Sequence, residues 1–192
     1  MRILLLTNKN TDNQSDVINA LGKNMNIFVN HGPIDLEFLK KNKIAAILSD
    51  RNGFLIPEPI INYVNGQVFN THPSILPFHR GWQPIFFSVL EQTDIGVSIH
   101  LVNSELDKGK LLCQSKVEES PHETLKSIHT KCRNRIIEML KINWEQILDQ
   151  KIPPVRQKGK GCYHSSKEFN EYFAKLPMRW DSTLDEVRKL IL

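Results

Sequence analysis

The first 72 residues alternate short apolar runs with amphipathic segments, and this alternation constrains the fold more than any other feature of the chain. Strands are predicted where the residues are apolar or β-prone, at residues 2–6, 26–30, 43–50 and 67–72. Helices are predicted between them from apolar spacing and start signals, at residues 15–23, 33–42 and 57–64. Such alternation is typical of a parallel sheet covered by helices.

The pattern changes after this region. The later elements are predicted as a helix, two strands and a long helix, at residues 83–92, 95–103, 109–119 and 119–150. Ser120 and Pro121 are expected to start the long helix. The predicted fold class is therefore α/β, a Rossmann-like, mostly parallel twisted sheet flanked by helices, with a β-hairpin after the strand at 67–72.

Chain length and composition predict one ordinary domain with a small appendage. A chain of 192 residues can bury a real core, and 40% hydrophobic with 24% charged residues is typical of a soluble globular protein. We predict a domain over residues 1–150 and a C-terminal extension over 151–192 that packs on it. No apolar run approaches the roughly 20 residues of a spanning helix. No membrane partner is therefore expected.

Charge and cysteine usage narrow the class further. The net charge of +4 leaves an anionic ligand open, but the basic clusters lack the interleaved aromatic residues of a single-strand binding platform. No nucleic-acid partner is therefore expected. Cys113, Cys132 and Cys162 are odd in number and widely spaced, so we predict neither disulfides nor a zinc knuckle, and a cytoplasmic location.

The stretch "FNTHPSILPFHRG", residues 69–81, follows a predicted strand and is crowded with polar and conformationally restricted residues. Ligands of open α/β sheets bind outside the carboxyl ends of strands, so this strand end is the first candidate site. Asn70 and His72 lie two residues apart and project to the same side of the strand. An amide donor and an imidazole can serve one reacting atom. A strand-end asparagine beside a surface histidine is the alternative.

Asp107, in "SELDKGK", is the third candidate. Its carboxylate can hold the imidazolium form of His72 or position a water molecule. The alternative is a turn role, in which Asp107 accepts from the backbone N–H of Gly109. His100 is expected to be a buried, orienting residue rather than a proton carrier.

Three separated blocks resemble one known family. "FNTHPSILP", "LEQTDIGVSIHLVNSELDKGKLLCQSKV" and the helix near "HETL" are similar, in this order, to the catalytic domain of the folate-dependent formyltransferases. That family includes glycinamide ribonucleotide, methionyl-tRNA and sugar N-formyltransferases. The resemblance covers approximately residues 1–150. It implies formyl transfer from 10-formyltetrahydrofolate to a primary amine, without a metal, and with Asn70, His72 and Asp107 as catalytic residues.

The resemblance also implies two binding regions. The folate co-substrate is expected at two backbone segments, from which we predict contacts with Phe54, Leu55, Ile56, Pro57, Val102 and Leu106. The acceptor is expected at the motif and the "RGWQP" that follows it, with predicted contacts at Ser74, Arg80, Gly81 and Trp82.

The acceptor predicted is an amino sugar on a nucleotide carrier, as in surface-polysaccharide synthesis. The stretch "TNKNTDNQSD" lacks the glycine-rich phosphate loop of glycinamide ribonucleotide formyltransferases, and the short tail argues against tRNA. "GKGCYHSSKEF" and "LPMRWDS" resemble small formyltransferase-like proteins of polysaccharide synthesis. A homodimer is a further expectation. The alternatives are a glycinamide ribonucleotide formyltransferase and a noncatalytic folate or nucleotide-binding protein.

A metal-dependent hydrolase is a further rival. It could use His72, His79, His100 and Asp107, but the chain has no compact helical pair of the H-x-x-x-H kind. The sequence therefore favours a site without metal.

Overall fold

Strands and helices alternate through the first part of the chain in a computed structural model that describes residues 1–9, 14–22 and 25–191. The first elements are β1 (Arg2–Thr7), α1 (Gln14–Leu21), β2 (Asn26–Asn30), α2 (Leu36–Asn42), β3 (Ala46–Asp50), α3 (Glu58–Tyr63) and β4 (Val68–His72). The later ones are β5 (Arg80–Gly81), α4 (Pro84–Leu90), β6 (Gly96–Leu101), β7 (Leu111–Lys116), α5 (Leu125–Leu148), β8 (Tyr163–His164), α6 (Ser166–Phe173) and α7 (Leu184–Arg188). Two 3-10 turns flank α7, at Arg179–Asp181 and Lys189–Ile191.

The main sheet has six strands in the order β2-β1-β3-β4-β6-β7. β1 pairs in parallel with β2 and β3, and β3 pairs in parallel with β4. β6 and β7 are neighbours joined by residues 102–110, a connection too short for a parallel crossover. The predicted α/β fold class, including the hairpin, is confirmed.

Local sequence explains where the elements form. The apolar run of β1 is buried from Ile3 to Leu6, as expected for a strand covered on both faces. Helix α2 starts where the Asp35 carboxylate accepts from the N–H of Phe38 at 2.7 Å, and it ends where Lys43 turns left-handed. Among the described residues, no helix combines the length and the apolar character needed to cross a bilayer.

The chain divides into two compact units, each with its own packing. The first unit comprises Met1–His72, Ile99–Cys113 and Ile137–Gln157. Its core includes a buried cluster built from the sheet, α2 and α3, with Leu4, Leu6, Leu39, Ile44, Ile47, Ile56, Ile60, Val64 and Val68 as members.

The second unit comprises Pro73–Ser98, Gln114–Ile136 and Lys158–Leu192. Its core is rich in aromatic rings: Phe86 contacts Phe169 edge to face with centroids 5.1 Å apart, and Trp180 packs on Phe173 at 4.8 Å. A short parallel pair of strands, β5 with β8, also lies in this unit and had no counterpart in the prediction. The division at residue 150 stays a prediction.

The predicted start of the long helix at Ser120 and Pro121 is wrong. Helix α5 begins at Leu125, because residues 120–123 form a turn in which the N–H of Ser120 donates to the Glu123 carboxylate at 2.9 Å. The Thr124 hydroxyl then accepts from the N–H of Ser127 at 3.2 Å, which gives the helix a side-chain start signal. Residue 23 of the first predicted helix, and residues 10–13 of the stretch without glycine, lie outside the described residues.

Candidate active site

Asn70 on β4 and His100 on β6 form the first contact of the site. The Asn70 amide nitrogen lies 3.1 Å from Nε2 of His100. Nδ1 of the same ring lies 2.8 Å from the carbonyl oxygen of Leu101, which can only accept a hydrogen bond. Nδ1 therefore carries the proton, and Nε2 accepts from the Asn70 amide in the neutral tautomer. His100 is 2% exposed, so its predicted burial is confirmed, and its orienting role stays a prediction.

Asp107 brings the three predicted catalytic residues together within the first unit. One carboxylate oxygen, Oδ1, lies 3.5 Å from the Asn70 amide nitrogen, at the limit of a hydrogen bond. The other, Oδ2, lies 3.7 Å from Nδ1 of His72, and both of these side chains are about nine-tenths buried or more, at 6% and 10% exposure. One carboxylate thus faces both members of the predicted strand-end pair. The catalytic roles themselves stay a prediction.

The loop that carries Asp107 is held from two sides. Asp107 has a φ of 52°, a left-handed conformation that aspartate tolerates better than most residues. A Cβ on Gly109 would lie 1.6 Å from the carbonyl oxygen of Leu101, so only glycine allows this approach to β6. The Gln157 amide donates to the carbonyl oxygens of Asp107 at 2.7 Å and Gly109 at 2.9 Å. Sequence reasoning missed Gln157, because 50 residues separate it from Asp107.

The opposite face of β4 carries a second missed pair. The hydroxyl of Thr71 donates to Oδ1 of Asp50 at 2.6 Å, and Asp50 is 1% exposed at the end of β3. The two residues are register partners in the sheet. Their bond fixes the strand segment that also positions Asn70 and His72. The sequence signal for this pair was the alternation of side chains along β4, which places Thr71 on the face opposite to Asn70 and His72.

The predicted folate segments lie on the first unit and share its buried cluster. Ile56 belongs to that cluster, and Val102 packs against it. Phe54 and Leu55 are 48% and 79% exposed, and Leu106 is 45% exposed; Pro57 is also exposed. In the predicted region, residues packed in the buried cluster are therefore followed by exposed apolar side chains. Folate binding there stays a prediction.

The predicted acceptor residues all lie in the second unit. Ser74 is fully buried, and its hydroxyl donates to the carbonyl oxygen of Phe78 at 2.7 Å. Arg80 is mostly buried and donates to the carbonyl oxygen of Lys160 at 3.3 Å. Gly81 has a φ of 89°, and Trp82 is 50% exposed. The structure gives Ser74 a contact within its own turn, and substrate contacts for these four residues stay predictions.

The cysteine thiols are poorly suited to nucleophilic chemistry. Burial raises the pKa of the Cys132 thiol to about 12. Burial also raises the pKa of the Cys113 and Cys162 thiols. A thiol with a raised pKa is protonated at neutral pH and is a weak nucleophile.

Several known proteins similar to this chain are named formyltransferases. A family model described as formyl transferase matches residues 38–140. The formyltransferase PseJ from Anoxybacillus kamchatkensis, solved with UDP-4,6-dideoxy-4-formamido-L-AltNAc and tetrahydrofolate, has a TM-score of 0.87 and 25% identity over 97% of both chains. A 4-N formyltransferase from Francisella tularensis shares the fold, with a TM-score of 0.76 and 24% identity over 90% of this chain and 79% of that one.

Curated relatives of this chain are named methionyl-tRNA formyltransferases. Methionyl-tRNA formyltransferase from Rickettsia canadensis (strain McKiel) is 33% identical over 129 residues, which cover 66% of this chain and 42% of the relative. The corresponding protein from Malacoplasma penetrans is 26% identical over 150 residues, 70% of this chain and 47% of the relative. The chain thus spans about half the length of the curated relatives it matches.

Proposed function

Since the chain belongs to the formyl transferase family, we propose that it transfers the formyl group of 10-formyltetrahydrofolate to the primary amine of a nucleotide-linked amino sugar. The observation that carries the proposed reaction is that the side chains of Asn70 and His72 both lie near the Asp107 carboxylate in the first unit. These side chains supply hydrogen-bond donors and a proton acceptor, the two functions that amine formylation requires.

The reaction begins when the amine nitrogen attacks the formyl carbon. The new C–N bond pushes an electron pair onto the formyl oxygen, which becomes the oxyanion of a tetrahedral intermediate. The intermediate collapses when the bond to the folate nitrogen breaks. The amine must lose a proton, and the folate nitrogen must gain one.

Asn70 stabilises the oxyanion through one of its two amide hydrogens. The other hydrogen is donated to Nε2 of His100, which lies 3.1 Å from the amide nitrogen, and this bond fixes the orientation of the amide. The first hydrogen faces Asp107, whose Oδ1 is 3.5 Å from the amide nitrogen. Because that hydrogen bond is weak, the hydrogen can be donated to a stronger acceptor at little cost. A developing oxyanion is such an acceptor, and donors fixed in advance stabilise it without reorganisation.

His72 and Asp107 handle the proton and the remaining charge. The Asp107 carboxylate is 3.7 Å from Nδ1 of His72, a separation that shortens readily in a bound complex. A ring N–H of His72 donates to the oxyanion beside Asn70. The carboxylate takes up the amine proton, directly or through a water molecule, and returns it to the folate nitrogen.

Similarity to PseJ supports a sugar-nucleotide acceptor. The match with that protein covers 97% of both chains, whereas the match with the Rickettsia methionyl-tRNA formyltransferase covers 42% of the relative. In the second unit, the Arg80 guanidinium suits a diphosphate and the exposed Trp82 ring suits stacking on a base. A role in surface-polysaccharide synthesis, a cytoplasmic location and a homodimer stay predictions.

The acceptor can be tested by direct competition. The purified chain is incubated with 10-formyltetrahydrofolate and three acceptors: a UDP-linked 4-amino-4,6-dideoxy sugar, glycinamide ribonucleotide and methionyl-tRNA. We expect mass spectrometry to show one added formyl group on the sugar nucleotide alone. Formylation of only the ribonucleotide or only the tRNA would refute the sugar acceptor. No transfer to any of the three, with folate still bound, would favour the noncatalytic alternative.

Substitutions at the site test the mechanism. Asn70→Ala and His72→Ala each remove one stabilising group, and we expect the transfer rate to fall about 100- to 1,000-fold. Folate binding, measured by fluorescence quenching, should survive, since the predicted folate segments are unchanged. His122→Ala, at an exposed position, is the matched control and should retain full activity. Unchanged turnover in both site variants would contradict the mechanism.

A further inference from the structure

Four side chains with metal-binding atoms converge in the second unit, within the part of the chain that the structure describes. They are His79, Glu91, Cys162 and His164, and one ligand atom from each lies within 4.8 Å of all the others. Two come from the segment that contains β5 and α4, and two from the segment that contains β8. None of the four belongs to the proposed catalytic group.

Three of the distances between these atoms are close to those of a tetrahedral shell, and the Glu91 carboxylate lies 4.0 Å from Nδ1 of His79. Zinc bonds of about 2.0–2.1 Å to nitrogen or oxygen and about 2.3 Å to sulfur place neighbouring ligand atoms roughly 3.3–3.6 Å apart. Nδ1 of His79 lies 3.1 Å from Nε2 of His164 and 3.5 Å from the Cys162 sulfur. Nε2 of His164 lies 3.3 Å from Oε1 of Glu91. Only small movements would let one ion bind all four.

Each imidazole also has a partner on its outer nitrogen. Nδ1 of His164 lies 3.1 Å from the Glu168 carboxylate, which requires a proton on Nδ1 and leaves Nε2 as the inward atom. Nε2 of His79 lies 2.6 Å from the Thr93 hydroxyl, which can accept a hydrogen bond from Nε2–H, and in that tautomer Nδ1 is a second inward lone pair. In this arrangement two inward lone pairs and a carboxylate oxygen can all bind one cation. Outer partners of this kind orient metal-binding histidines in known sites.

The surroundings hold the four atoms in place. His79 is fully buried, His164 is 5% exposed, and the Phe87 ring stacks on His164 at 3.7 Å between centroids. The backbone N–H of His79 donates to the Cys162 sulfur at 3.0 Å, a bond that stabilises negative charge on a thiolate ligand. A Cβ on Gly161 would lie 2.1 Å from the carbonyl oxygen of Pro77, so glycine permits the close approach of the two segments. A site this fixed needs little reorganisation to bind an ion.

We propose that His79, Glu91, Cys162 and His164 bind a divalent transition metal of the zinc class in a closed structural site. One thiolate, two imidazoles and one carboxylate are all ligands that zinc accepts, and four protein ligands leave no open position for catalysis. The ion joins the β8 segment to the segment of β5 and α4 within the second unit. The sequence did not indicate this site, since 85 residues separate the two histidines and no motif spacing connects them.

Metal content and stability test the proposal in the intact chain. Protein prepared in zinc-supplemented medium should contain about one zinc ion per chain, as measured by inductively coupled plasma mass spectrometry. Adding zinc to chelator-stripped protein should raise the thermal unfolding temperature, and a chelator should reverse the rise. Cys162→Ser should lower zinc affinity more than about 100-fold, whereas Cys113→Ser, at the other partly buried cysteine, should leave it unchanged.

A spectroscopic test and a milder variant distinguish loss of metal binding from misfolding of the chain. Cobalt in place of zinc should give the intense visible bands of tetrahedral coordination and a thiolate charge-transfer band that Cys162→Ser abolishes. Thr93→Val removes only the outer partner of His79 and should weaken binding about 10- to 100-fold while the chain stays folded. A folded wild-type chain that binds neither zinc nor cobalt would overturn the proposal and assign the cluster to shared protons. Equal zinc binding by wild type and Cys162→Ser would overturn it too.

Discussion

The neutral tautomer of His100 determines which way the Asn70 amide points. The Leu101 carbonyl oxygen accepts a hydrogen bond from Nδ1–H of His100, so Nε2 can only accept. Its Asn70 partner must therefore be the amide nitrogen and not the amide oxygen. An amide that rotated freely would present its oxygen as often as its nitrogen to a developing oxyanion. We therefore propose that His100 is a positioning residue for Asn70.

We predict that His100→Ala lowers kcat about tenfold with little change in KM for folate. The loss corresponds to one hydrogen bond of about 1 kcal/mol that orients a group needed in the transition state. Steady-state kinetics with the formylated folate measure both constants. His100→Gln retains an acceptor for the amide and should recover part of the rate. A fall in folate affinity with kcat unchanged would contradict the positioning role.

At the scale of elements, the loop between β6 and β7 determines where Asp107 lies. The close approach of this loop to β6 requires glycine at position 109, since the Leu101 carbonyl oxygen occupies the space that a side chain would need. The loop is also held by Gln157, whose amide donates to two of its carbonyl groups. The two contacts involve different partners of the same three-residue segment, so each can be tested separately.

Gly109→Ala should displace this loop. A Cβ would lie 1.6 Å from a backbone oxygen, which cannot move aside as a flexible side chain does. We expect a loss of about 1–3 kcal/mol in the free energy of unfolding and a fall in kcat of at least about tenfold. Chemical denaturation and kinetics measure the two effects. Gly32→Ala is the control, because its Cβ would meet its nearest neighbour at an ordinary 3.9 Å. Normal stability and turnover in Gly109→Ala would show that the loop position does not matter.

Gln157 offers a test in which charge, not size, is changed. Gln157→Glu keeps the shape but replaces the donating amide with an acceptor-only carboxylate opposite two carbonyl oxygens. We predict that it lowers kcat at least as much as Gln157→Ala, by about tenfold or more. Gln146→Glu, at an exposed position of α5, serves as the control. Higher activity in the glutamate variant than in the alanine variant would contradict the role assigned to the amide.

Patterns with a short period were predictable from the sequence, and long-range contacts were not. The strand period placed Asn70 and His72 on one face of β4, and both face Asp107. The order of strands and helices followed from apolar spacing. The start of α5 was misplaced because the Ser120 turn imitates a helix start before the Thr124 signal. Gln157 and the His79–His164 pair leave no local pattern, since only the folded chain brings their partners near.

For the molecule as a whole, the structure predicts how stability changes in acid. Burial raises the pKa of Glu123, but hydrogen bonds from Lys131 and from the backbone N–H of Ser120 outweigh it, and the pKa lies below its ordinary value. The unfolded chain therefore binds a proton at Glu123 more readily than the folded chain does. This stabilising contribution is complete above the unfolded pKa and is lost as the pH falls through the folded pKa.

We expect Glu123→Gln to lower the unfolding temperature at about pH 7 and to lose this disadvantage progressively as the pH falls toward about pH 3. The Lys131 ammonium is 37% exposed, so solvent screens part of the interaction and the effect should shrink in high salt. Calorimetry of both proteins across this range measures the difference. Glu171→Gln, at an exposed position of α6, controls for the loss of a negative charge as such. A constant gap between wild type and Glu123→Gln down to the acid limit would mean that the neutral amide loses packing, not charge, and the linkage argument would fail.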